Sequence, residues 1–323
     1  MYPRVLVFIV EVFKKRGLLT SVLWMIVVIS CGVSGCTQKN KNLRADLLPA
    51  EASVDEHETA GDSYFNQGKY QMALLEYDKS LEVTPDNMDV RYKKGMIFLV
   101  GGMNEDAIRE FQKVVKRRPD DALAYYGMGR ASFQSKKYGE AKKHLQKAMK
   151  IDPGLWQAHN YLGVIYDYEG RYLRAIREYR AAIDLKPDSG LLYNNLGLSY
   201  SLMGDYEKAV QSFREALKYA SSLPKIYNNL GLVLAKLGRY DSAFEAFSKG
   251  GDEAQAYNNL GCMYLQAGQR NMAIHAFEKA VETRPTYYMK AGENLKRTRM
   301  NRRAEPLFDF NREPFVGTDS ERD

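Results

Sequence analysis

Paired amides are the residues of this chain with the most to offer a ligand. They stand at Asn194-Asn195, Asn228-Asn229 and Asn258-Asn259, with Asn160-Tyr161 before them. A side-chain amide both donates and accepts, so a row of them suits the peptide group and can hold an extended backbone without reading its side chains. The same amides can instead bond to one another between neighbouring structural units, and the sequence leaves both uses open. Other chemistry is scarce. There is no His-Glu-x-x-His, no Gly-x-Ser-x-Gly and no Gly-x-x-x-x-Gly-Lys-Ser/Thr, and Gly127 and Gly129 form a stray Gly-x-Gly. His57 and His159 fall on apolar stripes and read as packed imidazoles rather than ligands. Cys262 reads as an inert small side chain rather than a nucleophile. No catalytic, cofactor-binding or metal-binding residue is assigned, and the chain is read as a non-enzyme.

Composition narrows the class further. With 323 residues, 45% of them hydrophobic and 12% aromatic, the chain has the material for a packed core and lies far from disordered compositions. Three cysteines exclude a disulfide framework, and four scattered histidines argue against a zinc enzyme. The net charge is +7, but Arg4, Lys14, Lys15 and Arg16 against Glu11 place part of that excess ahead of Cys36. No nucleic-acid partner is therefore expected.

The amides sit inside a strict internal period. Gly61, Gly95, Gly129, Gly163, Gly197 and Gly231 follow one another at 34 residues, and Gly261 comes after 30. Twelve residues after each stands an alanine (Ala73, Ala107, Ala141, Ala175, Ala209, Ala243, Ala273), and four beyond that Tyr77, Phe111, Leu145, Tyr179, Phe213, Phe247 and Phe277. Pro85, Pro119, Pro153, Pro187 and Pro285 punctuate the units, and Gly68, Gly102, Gly170, Gly204, Gly238 and Gly268 mark a turn seven residues after the first glycine. Lys136 takes that turn position in the third unit. Within the fifth unit Tyr193, Leu196, Gly197 and Tyr200 share one helical stripe, and Ala209, Phe213 and Ala216 share another. Glycine and alanine let the two helices cross closely, the aromatic fills the space beside them, and proline stops the second helix. One such hairpin cannot bury both faces; stacking buries them. The sixth unit is one turn short, with Gly250-Gly251-Asp252 where its second helix should continue, which reads either as a bend or as a neutral deletion.

This period and pattern resemble the tetratricopeptide repeat. The resemblance implies an all-α fold, a right-handed α-solenoid of seven helical hairpins over residues 54–287, whose first helices line a concave groove. It places Asn160, Asn194, Asn195, Asn228, Asn229, Asn258 and Asn259 on that groove as peptide-binding residues. Tyr92, Tyr126 and Phe133 would favour a partly apolar segment there, although packing between repeats has an equal claim on them. A subset of the family clamps C-terminal carboxylates, but Asp55, Glu58 and Asp62 on the first repeat would repel one. Residues 288–304 read as a capping helix carrying Lys290, Lys296, Arg297, Arg299, Arg302 and Arg303, and residues 305–323 as a flexible tail.

At the other end, Lys14-Lys15-Arg16 precede an apolar stretch from Gly17 to Gly35, as in an export signal. The stretch is also long enough for an uncleaved membrane-spanning helix. It closes on Val33-Ser34-Gly35-Cys36, which resembles the lipobox of bacterial lipoproteins. The resemblance implies a signal peptide over residues 1–35, an acylated Cys36, with palmitate among its fatty chains, and a polar tether over residues 36–53. Thr37 in place of Asp implies the outer membrane, facing the periplasm, in a cell with two membranes. The expectation is a lipid-anchored scaffold that binds a protein partner, needs no cofactor, and is similar in architecture to assembly factors of pili and secretion pores. The alternatives are an adaptor for peptidoglycan hydrolases or proteases, and an enzyme with a site hidden in the solenoid.

Overall fold

The computed structural model describes residues 54–284 and 289–300. The chain divides into two units, Met1–Glu51 and Ala52–Asp323, and every described residue belongs to the second. The expected signal segment (1–35), Cys36, the tether (36–53) and the tail (305–323) lie outside the described residues.

Helical hairpins follow one another along the whole described length. The first four are α1 (Val54–Asn66) with α2 (Tyr70–Val83), α3 (Met88–Val100) with α4 (Asn104–Arg117), α5 (Ala122–Gln134) with α6 (Tyr138–Ile151), and α7 (Trp156–Tyr168) with α8 (Tyr172–Leu185). The next three are α9 (Gly190–Met203) with α10 (Tyr206–Tyr219), α11 (Pro224–Lys236) with α12 (Tyr240–Gly250), and α13 (Glu253–Gln266) with α14 (Arg270–Thr283); α15 (Met289–Arg299) stands alone. Each odd-numbered, inner helix packs on its own outer partner and on the neighbouring hairpins, so the result is an all-α solenoid of seven hairpins and a capping helix.

The periodic residues explain this geometry. The rings of Tyr77, Phe111, Tyr179, Phe213, Phe247 and Phe277 are fully buried where the two helices of a hairpin cross. A Cβ at Gly197 would lie 2.8 Å from Cε1 of Phe213, so the crossing distance is set by the missing side chain. The turn glycines all have positive φ, and Lys136 adopts the same left-handed conformation at φ 59°. For a lysine that conformation costs on the order of 1 kcal/mol, which the surrounding hairpin overrides. Helices α3 and α5 begin on polar caps: Asn87 accepts from the backbone N–H groups of Asp89 and Val90, and Asp121 from that of Ala124.

The short sixth hairpin is a fitted junction. Helix α12 has 11 residues against 14 in the other outer helices. A Cβ on Gly250 would sit 2.6 Å from Oδ1 of Asn228 and 2.9 Å from the Pro224 carbonyl oxygen, so the end of α12 rests directly on the start of α11. Asp252 then forms a reciprocal capping box with Gln255 and an ion pair of 2.6 Å with Arg284.

The capping helix, expected over residues 288–304, is described over Met289–Arg299 with Met300 in a turn, and the rest of that range lies outside the described residues. Its end is fixed from outside, because the Arg270 guanidinium donates to the carbonyl oxygens of Thr298 (2.6 Å) and Arg299 (2.9 Å), which have no partner within the helix. The two histidines are not packed in apolar surroundings. His57 and His159 are half-buried and each faces a glutamate, Glu76 at 2.7 Å and Glu178 at 2.8 Å.

Candidate functional site

The asparagines are brought together across the repeats. The period puts the second Asn of one inner helix beside the first Asn of the preceding one, 35 residues away. Asn229 Nδ2 donates to Asn194 Oδ1 at 3.0 Å, and Asn195 Nδ2 donates to Asn160 Oδ1 at 3.0 Å. Within α9, Asn194 Nδ2 donates to Asn195 Oδ1 at 3.3 Å, so the four amides of α7, α9 and α11 form one directional chain. Asn294 of α15 continues the pattern at the far end, donating to Asn258 Oδ1 at 2.9 Å. Asn228 lies to one side, with Nδ2 3.4 Å from the Gly250 carbonyl oxygen. All seven amides singled out in the sequence, Asn259 among them, are buried.

Each amide has two N–H groups and two acceptor lone pairs, and the links between repeats use only part of that capacity. The links fix how the four amides of the chain point. Asn229 Oδ1 is buried without a partner, an acceptor in the middle of the row with nothing donating to it.

Upstream of the amides the inner helices present aromatic groups and a guanidinium. Tyr126 and Tyr161 meet edge to face at 5.8 Å, Phe133 meets Tyr161 at 5.3 Å, and Arg130 lies 5.6 Å over the Tyr126 ring. Burial pushes the Tyr126 hydroxyl far above its ordinary pKa and the Tyr161 hydroxyl upward, with Arg130 drawing the latter back. Tyr92 packs on Phe111 at 5.5 Å, so these rings serve the junctions between repeats as well. On the first repeat, Lys93 Nζ donates to Glu58 (2.8 Å) and to Asp62 (2.7 Å). Those carboxylates are thus tied to the second repeat.

Three inner-to-outer clasps recur that the periodic reading missed. His57 with Glu76, Arg91 with Glu110 (3.3 Å) and His159 with Glu178 all join residues 19 apart, four before and fifteen after the repeat glycine. A basic or titratable residue with a glutamate 19 residues on was the signal available. Where the crossing ring is tyrosine instead of phenylalanine, an aspartate receives its hydroxyl: Tyr77 donates to Asp62 at 2.6 Å and Tyr179 to Asp167 at 2.9 Å. Ser199 of α9 donates to the second oxygen of Asp167. Burial raises the Asp167 carboxyl to about 6 despite those two donors.

Among the described residues no group of His, Cys, Asp and Glu could hold a metal ion, and no helix is long and apolar enough to cross a membrane. Cys262 is buried, with Asn294 Nδ2 3.6 Å from its sulfur.

Family models described as TPR repeat match residues 61–102, 168–204 and 201–238, and models described as tetratricopeptide repeat match residues 89–121, 122–155 and 254–287. Together they take in more than half of the chain. A tetratricopeptide repeat protein from Parabacteroides merdae is 15% identical with a TM-score of 0.54, over 76% of this chain and 98% of that one. The Pseudomonas aeruginosa pilF structure is 21% identical with a TM-score of 0.50, over 62% of this chain and 92% of that one. A crystal structure of MamA is 30% identical with a TM-score of 0.46, over 52% of this chain and 92% of that one. The first two likenesses are of fold. No curated protein matches the chain in sequence.

Proposed function

Because the chain belongs to the tetratricopeptide-repeat family, we propose that its inner-helix face holds an extended segment of a protein partner, and that acylated Cys36 fixes this scaffold to a membrane of the cell envelope. The carrying observation is the directional chain of amides that joins Asn229, Asn194, Asn195 and Asn160 across three inner helices. Three successive inner helices, α9, α11 and α13, repeat the same pair of side chains, and the bonds among Asn229, Asn194, Asn195 and Asn160 orient groups that by their chemistry both donate and accept. A backbone held this way needs no particular side chains, which suits a subunit being delivered for assembly. Assembly of a pilus or of a secretion pore at the outer membrane, on its periplasmic side, is the service we assign to it. The fold shared with the P. aeruginosa pilF protein is in keeping with that assignment.

Two experiments test the reading. Asn195, Asn229 and Asn259 replaced together by alanine should weaken partner binding by roughly a hundredfold, at about 1 kcal/mol for each lost hydrogen bond, while far-UV circular dichroism keeps the helical signal. Undiminished affinity in that variant means that the amides serve only the packing of repeats. Cys36→Ser should abolish incorporation of labelled palmitate and move the protein from the membrane to the soluble fraction, since each buried CH2 contributes about 0.8 kcal/mol of anchoring. Retention of the variant in the membrane would point instead to the apolar stretch from Gly17 to Gly35 as the anchor.

A further inference from the structure

The second hairpin differs from the fifth at the corner where its inner helix starts and its outer helix ends. In the fifth, that corner holds Tyr193, four residues before the repeat glycine, and Tyr219, twenty-two after it, stacked with ring centres 5.8 Å apart and planes 13° from parallel. The same two offsets from Gly95 carry Arg91 and Arg117. Two guanidinium groups do not close a corner as two rings do, because each is drawn to an oxygen acceptor of its own. A cleft of about 360 Å³ opens there between α3 and α4, lined by Asp86, Met88, Arg91, Lys113, Lys116 and Arg117. That volume lies at the lower end of the range of small-ligand sites. The amides lie elsewhere, on α7 to α13.

The cations of the cleft are held in place and only partly matched. Arg91 donates from Nε (3.1 Å) and Nη2 (2.8 Å) to the Pro85 carbonyl oxygen and from Nη1 to Glu110 (3.3 Å). Glu110 is buried and also accepts from Lys113 Nζ at 2.7 Å. Arg117 Nη2 donates to both oxygens of Asp86, at 3.0 and 3.2 Å. Two carboxylates thus serve four cations, and among the described residues Lys116 has no carboxylate at ion-pair distance. The fifth hairpin supplies the contrast. There Lys218 pairs at 2.7 Å with Glu215, three residues before it, whereas the residue three before Lys116 is Lys113. Basic residues in a last turn complement the helix dipole, but that role explains neither the open corner nor the missing carboxylate.

We propose that this cleft binds a phosphate monoester, carried by a free small molecule or by a lipid headgroup. The two positive charges left over by Asp86 and Glu110 are what a dianion neutralises, and a single carboxylate would leave one of them unmatched. The Lys113 and Lys116 ammonium groups keep N–H groups to donate beyond those used within the corner, and hydrogen bonds from charged donors to phosphate oxygens are the strong ones. Both lysines are exposed, so the attraction is screened and weakens as salt is added.

The test is calorimetric titration of the full chain with glycerol 3-phosphate in low-salt buffer near pH 7.5, where the monoester is mostly a dianion. Binding at one site is expected. Lys113→Ala combined with Lys116→Ala should weaken it by roughly tenfold or more, with the far-UV circular dichroism unchanged. Lys218→Ala, at the offset of Lys116 but in the corner closed by Tyr193 and Tyr219, should bind as the parent does. A second probe separates the two sources of phosphate. If glycerol 3-phosphate does not bind, but phosphatidylcholine vesicles containing phosphatidic acid retain the parent better than the double variant while phosphatidylcholine alone retains both equally, the phosphate belongs to a lipid headgroup and the site stands. No selective binding of either probe, binding undiminished in the double variant, an equal loss in Lys218→Ala, or a polyglutamate peptide held as tightly as glycerol 3-phosphate overturns the proposal.

Discussion

Phe213→Ala is expected to lower the unfolding free energy by about 3–5 kcal/mol and to break the cooperativity of the array. The ring is fully buried in the fifth hairpin, at the crossing that Gly197 keeps short, and no neighbour can move into its space without separating α9 from α10. It belongs to an apolar cluster that runs without interruption from Tyr126 to Met263. In a linear stack each repeat is stabilised by its own packing and by the two interfaces it makes, so weakening a middle repeat also weakens the coupling between the two arms. Trp156, at the start of α7, is the one tryptophan among the described residues and reports on the fourth repeat. Its fluorescence and the far-UV circular dichroism should follow different urea transitions in the variant and closer ones in the parent. Coincident transitions with an unshifted midpoint would mean that the crossing ring contributes little to the stack.

The hairpins were legible in the sequence because the features that make them are local and recur at fixed offsets. Gly197, Ala209 and Phe213 lie within one repeat, and each reappears in the others, so the crossing of two helices could be read from spacing alone. Even the exception was readable: Lys136 stands where glycine is expected, and the turn forms there with a positive φ all the same. What depends on contacts without a fixed offset was not legible. Asp62 lies one residue after its repeat glycine and Asp167 four after its own, yet both accept from the tyrosine at the crossing. No periodic pattern contains that pairing; only the substitution of tyrosine for phenylalanine hints that a hydroxyl needs an acceptor. The histidines were placed on the right face, but the glutamates opposite them come from the other helix of the hairpin. The asparagine row was visible as a row, while its directional links span 35 residues and exist only once the repeats stack. The capping helix was foreseen on its polarity, while the contact from Arg270 to the carbonyls of its last residues comes from another helix and has no signature in its own sequence.

Asp167→Asn is expected to remove a pH dependence that the parent shows between about pH 4 and pH 7. Asp167 is 7% exposed and receives hydroxyls from Tyr179 and Ser199, yet burial carries its carboxyl from 3.8 to about 6 in the folded chain. The folded state therefore holds the proton more tightly than the unfolded one. Its contribution to stability is complete below the unfolded value near 3.8 and is lost as the pH rises through about 6. The shift of about two pK units corresponds to at most roughly 3 kcal/mol, lost on going from acid to neutral conditions. Glu76, held down by Lys79 and His57, and Asp89, held down by Arg118, act with the opposite sign, and their contributions are lost as the pH falls through the ordinary carboxylate range and below. The two effects separate on the pH axis. An asparagine cannot ionise, so the variant should gain relative to the parent as the pH is raised from 4.5 to 7.5, less the cost of one lost acceptor. Tyr179→Phe gives a complementary result: removing a hydroxyl that favours the carboxylate should push the Asp167 carboxyl above 6 and move the parent's transition to higher pH. Urea unfolding at closely spaced pH values measures both. The same slope in Asp167→Asn as in the parent would show that the proton is bound elsewhere.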